Sequence, residues 1–276
     1  MRIVFLNCDI GYFWENKNAM CLILFSYKTH PRYKLIVAAN RDEFYKRPTS
    51  KADYWEDHKD IIAGRDLEAN GTWMGINRKT GSLALLTNYR DLSNIKKDAP
   101  SRGQLVSDFL RDPSTPEEYY LEHGDRFNEY NGFNLVVGSA DQLHYTSNEF
   151  KGGLKKIPEG VYGLSNHLLN TDWPKVKRGK LKLEAITEDR HFEVEHLFEA
   201  LYDDELATDH ELPDTGVGLE MERMLSPMFI KSPEYGTRCS TVLLIDNNNK
   251  VLFAERTYDT TTYEYDTVYH KFIIGE

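Results

Sequence analysis

CLILFSYKTHPRYKLIVAANRDEFYKRP, residues 21–48, decides the architecture. Two apolar, β-rich runs, CLILFSY and KLIVAA, flank the polar turn THPR, and this order predicts an antiparallel hairpin. The second run leads straight into Asn40, Arg41, Asp42 and Glu43. Successive side chains of an extended chain point to opposite faces, so one pair of these four points inward or lines a cleft. An ordinary turn with solvated charges is the competing reading, because charge runs usually lie in water.

Working outward, further strand-like runs occur at 72–76, 83–87, 133–138, 142–147, 240–245, 251–256 and 268–274. Two helical blocks interrupt them. One runs from Ser101 to about His123, where Thr115-Pro116-Glu117-Glu118 supplies an N-cap, a proline at the first helical position and an acidic first turn. The other runs from about Trp173 to Tyr202 and breaks near Asp189. The blocks do not alternate as βαβα, which disfavours a parallel doubly wound sheet. The expected fold is α+β, a mostly antiparallel two-sheet core with helices packed outside. Loops 49–60 and 204–220 are expected to line a pocket.

A net charge of −10 is spread along 276 residues with no long basic run, which argues against nucleic acid as a partner. No apolar stretch approaches the ~20 residues of a membrane-spanning helix. Asp9 and Glu15 interrupt the first nineteen residues and no small-residue cleavage site follows, which argues against secretion. Cys8, Cys21 and Cys239 have neither a disulfide-like nor a metal-like spacing, so no metal is expected and a reducing cytoplasm fits. The oligomeric state is left open, a homo-oligomer included.

Cys21 reads either as a half-buried strand cysteine, a common role for the residue, or as a nucleophile. If the mature chain begins there, one residue carries both a thiol and an α-amine, and the amine can act as base for the thiol. Trp14-Glu15 can be encoded only as TGG-GAR, a purine-rich stretch a few codons before Met20. Residues 1–20 therefore read as an N-terminal extension or a start-site artefact, with 21–276 as one domain. Asn88 ends a strand and Asn166 precedes a helix, where turn formation and capping are the bland explanations. Arg238 stands at the entry to a strong strand, where an arginine is normally surface decoration.

Taken together, MC at 20–21, AANRDEFYKRP, GTWMGIN with LTNYRD, YNGFNL, YGLSN with the following DW, and YGTR resemble the NRDE family, also called the transport and Golgi organisation protein 2 family. The family looks like a branch of the N-terminal nucleophile hydrolases, which implies a four-layer αββα sandwich. Cysteine-nucleophile amidases of that group are the closer analogy. The resemblance implies Cys21 as nucleophile, Asp42 holding its amine with Asn40 alongside, Asn88 and Asn166 as oxyanion-hole donors, and Arg238 near the thiol. Asn40, Arg41 and Glu43 are expected in the binding region, although the amidases carry an arginine where this chain has Ala39.

The implied activity is that of a cysteine amidohydrolase or acyl-transfer enzyme acting on a small molecule, a non-peptide amide or a thioester, with no cofactor. The alternative is a non-catalytic haem or lipid/acyl-CoA binding and trafficking protein on the same fold. Nine histidines without a C-x-x-C-H motif mean that any haem would be held non-covalently.

Overall fold

The computed structural model describes residues 21–112 and 114–276. Strands β1 (Cys21–Tyr27) and β2 (Tyr33–Phe44) form the expected hairpin, with Cys21 opposite Arg41 and Tyr27 opposite Leu35. β2 runs further than its apolar stretch predicts. Its other edge is hydrogen-bonded to β11 (Tyr235–Asp246), which pairs up to Phe44 opposite Tyr235, so Asn40 to Glu43 lie in a central strand rather than a turn. All four are buried.

β10 (Gly160–Leu164), β12 (Lys250–Tyr258) and β13 (Tyr265–Ile273) complete the first sheet in the order β10-β1-β2-β11-β12-β13. The second is a sequential meander of β3 (Thr49–Tyr54), β4 (Ile61–Asp66), β5 (Met74–Asn77), β6 (Leu83–Asn88), β7 (Phe133–Gly138), β8 (Leu143–Ser147) and β9 (Lys155–Lys156). Every pairing between these strands is antiparallel.

Period-2 alternation builds the layers. Ile23, Phe25, Leu35, Val37 and Phe253 of the first sheet pack with Ile62, Met74, Ile76, Leu83 and Val136 of the second, which makes the core between the sheets. The alternate residues Leu22, Leu24, Ile36 and Ala38 meet α3 (Pro174–Glu188) and α4 (Val194–Leu201) through Val176, Leu183, Leu197 and Phe198. On the far side, Ala63, Ala84 and Leu135 meet α1 (Gly103–Arg111) and α2 (Pro116–His123) through Leu105, Phe109 and Tyr119. Helices thus lie against the outer faces of two antiparallel sheets, an α+β arrangement compatible with a layered sandwich. Thr115 caps α2 as expected: its hydroxyl accepts from the Glu118 N–H at 3.2 Å, and the Glu118 carboxylate accepts from the Thr115 N–H at 2.8 Å.

Two readings need correction. Segment 49–60 holds the edge strand β3 and does not line the cavity that contains Cys21, and neither does 204–220. TSKADY looks like a loop because an edge strand buries little, here only Ala52. Among the described residues no helix is long and apolar enough to cross a membrane.

The layering assigns different weights to apolar residues of similar size. Phe253→Ala, at a position 1% exposed between the sheets, should lower unfolding free energy by about 3–5 kcal/mol. Leu181→Ala, 66% exposed on α3, should change it by no more than about 0.5 kcal/mol. Urea titration of both variants checks this, and similar small shifts would contradict a core between the sheets.

Candidate active site

Directly paired residues of neighbouring antiparallel strands share a face, so the register places the Cys21 and Arg41 side chains together. Both open into a cavity of about 560 Å³, whose wall also includes Glu43, Trp73, Leu86, Asn88 and Arg102. Asn40 and Asp42 take the other face of β2, towards the helix layer. The Asn40 amide donates to the carbonyls of Leu201 at 2.9 Å and Met228 at 2.7 Å, and its oxygen accepts from Ser240 at 2.6 Å. That pattern ties β2 to α4 and keeps Asn40 out of the cavity.

Arg41 lies 4.3 Å from the Trp73 ring centroid and donates to Thr49 at 3.1 Å and Glu43 at 3.4 Å. Glu43 also accepts from the Phe44 N–H at 2.8 Å. Of the three expected binding residues, Arg41 and Glu43 therefore brace one another in the cavity wall, and Asn40 lies outside it.

Asp42 is fully buried. Its Oδ1 accepts from the Thr237 hydroxyl at 2.6 Å, and that hydroxyl accepts from the Ile230 N–H at 2.9 Å. Its Oδ2 has no hydrogen-bond partner among the described residues, and the same holds for Nζ of Lys175, a buried lysine in the first turn of α3. Burial raises the Asp42 carboxyl and lowers the Lys175 ammonium, and each group's charge resists the other's shift. A helix N-terminus is itself unfavourable for a cation, so Asp42 is what compensates Lys175. Their fields also reach Cys21.

Cys21 is 8% exposed. Burial, joined by the Asp42 charge, pushes its thiol up to about 12, against the pull of Arg41 and a hydrogen bond from the Asp42 backbone. At pH 7 roughly one sulfur in 10⁵ is then thiolate.

Asn88 ends β6 and lines the cavity. Its position is set by the segment after β10. The Asn166 amide donates to the Asn88 carbonyl at 3.0 Å, the Arg90 N–H donates to the Asn166 carbonyl at 2.8 Å, and Thr87 donates to the Ser165 carbonyl at 2.6 Å. Ser165 Oγ donates to the Cys21 carbonyl at 3.0 Å. Residues 165–166 therefore clasp the start of β1 to the end of β6. Asn166 is in this clasp and is not part of the cavity wall.

Arg238 is elsewhere again. It sits at the bulge between Thr237 and Cys239, and its Nη1 lies 3.0 Å from each of the Phe44, Tyr45 and Arg47 carbonyls. It anchors the turn that follows β2 and does not line the cavity.

The sequence around this arrangement matches a family model described as Transport and Golgi organisation 2 over residues 20–260. The chain belongs to that family. The Transport and Golgi organization protein 2 homolog of Bos taurus is 35% identical over 278 residues, covering 89% of this chain and 99% of its own length. The Homo sapiens homolog is 35% identical over 274 residues, covering 89% and 99%. Transport and Golgi organization protein 2 of Drosophila melanogaster is 32% identical, covering 86% and 92%. These names speak of transport and Golgi organisation.

Two such side chains were not foreseen from the sequence. Lys175 lies in PKVKRGK, which reads as a solvated helix face, and nothing local announces its burial. Arg102 lies in a polar connection, and only the fold turns it into the cavity, where its charge interacts with Glu43 and Cys21. Among the described residues no group of three or more His, Cys, Asp or Glu side chains is placed to hold a metal ion.

A thiol held near 12 makes a kinetic statement about the chain with residues 1–20 attached. Iodoacetamide modification of Cys21 should rise about tenfold per pH unit from pH 7 to 10, because only the thiolate reacts. Peptide mass mapping checks this, and a plateau below pH 9 would contradict the burial argument.

Proposed function

We propose that this protein is a cysteine N-terminal nucleophile hydrolase, with residues 21–276 as one αββα unit, acting on carbon–nitrogen bonds other than peptide bonds or on thioesters. The observation that carries this reading is that Cys21 and Asn88 line one cavity, with the charges of buried Asp42 and Lys175 acting on each other and on Cys21. Residues 1–20 lie outside the described residues. In this reading they are absent from the active form, and Cys21 carries a free amine.

Asp42 Oδ2 is an unused acceptor, and Lys175 Nζ has three unused donors. A neutral α-amine can donate to the carboxylate and keep its single lone pair for the thiol proton, while the Lys175 ammonium balances the charge of that carboxylate. The neighbouring ammonium also disfavours a second positive charge, which keeps the amine basic but unprotonated near neutral pH.

In the reaction, the amine takes the Cys21 proton as sulfur bonds to the substrate carbonyl carbon. The Asn88 amide donates to the developing oxyanion, a contribution of about 3–4 kcal/mol for an essential donor. Collapse breaks the bond to the leaving nitrogen or sulfur, which receives the proton from the ammonium. Water, deprotonated by the same amine, then cleaves the acyl-thioester and restores Cys21. Asn166 and Arg238 serve as positioning residues, the first through the Asn88 main chain and the second through the turn after β2.

For a chain that retains residues 1–20, the thiol near 12 favours a second reading, a pocket that binds haem or an acyl lipid without turnover.

A chain beginning at Cys21 should hydrolyse some member of a panel of N-acyl amides and acyl thioesters. Cys21→Ala should abolish this, and Asn88→Ala should lower kcat by about 10²–10³. Turnover that survives Cys21→Ala would overturn the proposal. Saturable haemin or acyl-CoA binding indifferent to Cys21→Ala, with no turnover across the panel, would favour the second reading.

A further inference from the structure

The cavity holds positive charge that its own carboxylates leave uncompensated. Arg47 pairs with Asp66 at 2.6 Å and lies 3.6 Å from Glu43, while Arg41 lies 3.4 Å from Glu43. Arg102, Lys96 and Lys97 also line the cavity, and none of the three has a carboxylate within 4.0 Å among the described residues. Lys96 is partly engaged, donating to the carbonyls of Asn128 and, at 3.1 Å, Tyr130. In a chain of net charge −10, this mouth is a local reversal of sign.

Arg102 is the decisive group. A guanidinium carries five N–H donors, and the hydrogen bond found for this one runs from Nη1 to the Gly132 carbonyl at 3.0 Å. Burial lowers it to about 10, with the charges of Glu43 and Cys21 opposing the shift. Helix α1 begins at the next residue, Gly103, with no side-chain cap and no acidic residue in its first turn. The loop backbone fixes that terminus: a Cβ on Gly71 would lie 2.6 Å from the Gly103 carbonyl carbon, and the Thr72 N–H donates to the Gly103 carbonyl at 3.2 Å. Ser101, Arg102 and Gly103 line the same cavity as Cys21, and because the Gln104 and Leu105 N–H groups already donate to the Ser101 and Arg102 carbonyls at 3.0 and 3.1 Å, the guanidinium fork supplies the donors there.

We propose that this cavity selects substrates bearing an oxyanion, a carboxylate or phosphate group, seated on Arg102 at the N-terminus of α1 while the reactive carbonyl faces Cys21. The planar fork accepts either group through paired N–H donors. Lys96 and Lys97 at the rim raise the local concentration of anions. This deepens the nucleophile reading and rests on it for the position of the carbonyl, although anion binding itself does not require turnover.

The experiment compares alkylation of Cys21 in the 276-residue chain by iodoacetate, an anion, and by iodoacetamide, its neutral analogue. The ratio of the two rates cancels any change in thiol reactivity. At low ionic strength it should exceed the ratio for N-acetylcysteine by about tenfold or more, fall as salt is added, and fall to the small-molecule value in Arg102→Met. Arg102→Lys, which keeps the charge, should retain part of the preference, and circular dichroism reports whether each variant is folded. Calorimetry with inorganic phosphate and with succinate separates the two oxyanions and should show binding that Arg102→Met loses. A wild-type ratio equal to that of N-acetylcysteine, with neither anion binding, overturns the proposal and leaves the nucleophile reading standing. If Cys21 resists both reagents in this chain, calorimetry alone decides for or against the anion site, whereas resistance in a chain that begins at Cys21 would sink the nucleophile reading.

Discussion

The extended course of β2 through Asn40-Arg41-Asp42-Glu43 is the constraint on which the site depends. Because β1 and β11 pair with both edges of this strand, its side chains must alternate between the two faces of the sheet. Arg41 and Glu43 are delivered to the cavity beside Cys21, while Asn40 and Asp42 are delivered to the helix layer. Four buried polar residues in a row would be costly without partners. Asn40 is satisfied by main-chain carbonyls and Ser240, and Arg41 and Glu43 by each other and by Thr49 and the Phe44 N–H. Asp42 alone keeps an oxygen without a hydrogen bond, and it does so near a lysine in the same condition. The charges of both groups act on Cys21, which lines the cavity.

The second requirement is that two sheets with different partners keep Cys21 and Asn88 in register. Apolar packing between the sheets sets their spacing, but such packing is not directional. The hydrogen bonds of Ser165 and Asn166 supply direction, since they join the Cys21 carbonyl on one sheet to the Thr87 and Asn88 main chain and side chain on the other. Arg238 does similar work on the turn after β2, gathering three carbonyls around one nitrogen. Ser165, Asn166 and Arg238 are thus each engaged with main chain around the cavity.

Much of the frame was legible in the sequence because its signals are local. The apolar, β-rich runs of β1, β6, β7 and β12, the Pro-containing turn of the first hairpin and the capping box at Thr115 need no tertiary information. Cys21 opposite Arg41 also follows from that hairpin's register. What the sequence could not show depends on burial by distant segments. Lys175 is flanked by charged residues and becomes buried only because α3 packs across β1 and β10, and Arg102 faces the cavity only because Gly71 fixes the start of α1. β3 was hidden because an edge strand with one buried side chain has the composition of a loop. The bulge at Arg238, which sets its side chain against the carbonyls of the turn after β2, leaves no mark in the sequence.

The account stands on Cys21 being the first residue of the active protein, since only then does it carry the free amine that the proposed mechanism uses as base. Intact-mass and N-terminal peptide analysis of the protein isolated from its own cells reads this directly. The predicted result is a chain that begins at Cys21. A population that uniformly retains Met20 or any earlier residue would contradict the mechanism, whatever the pocket binds.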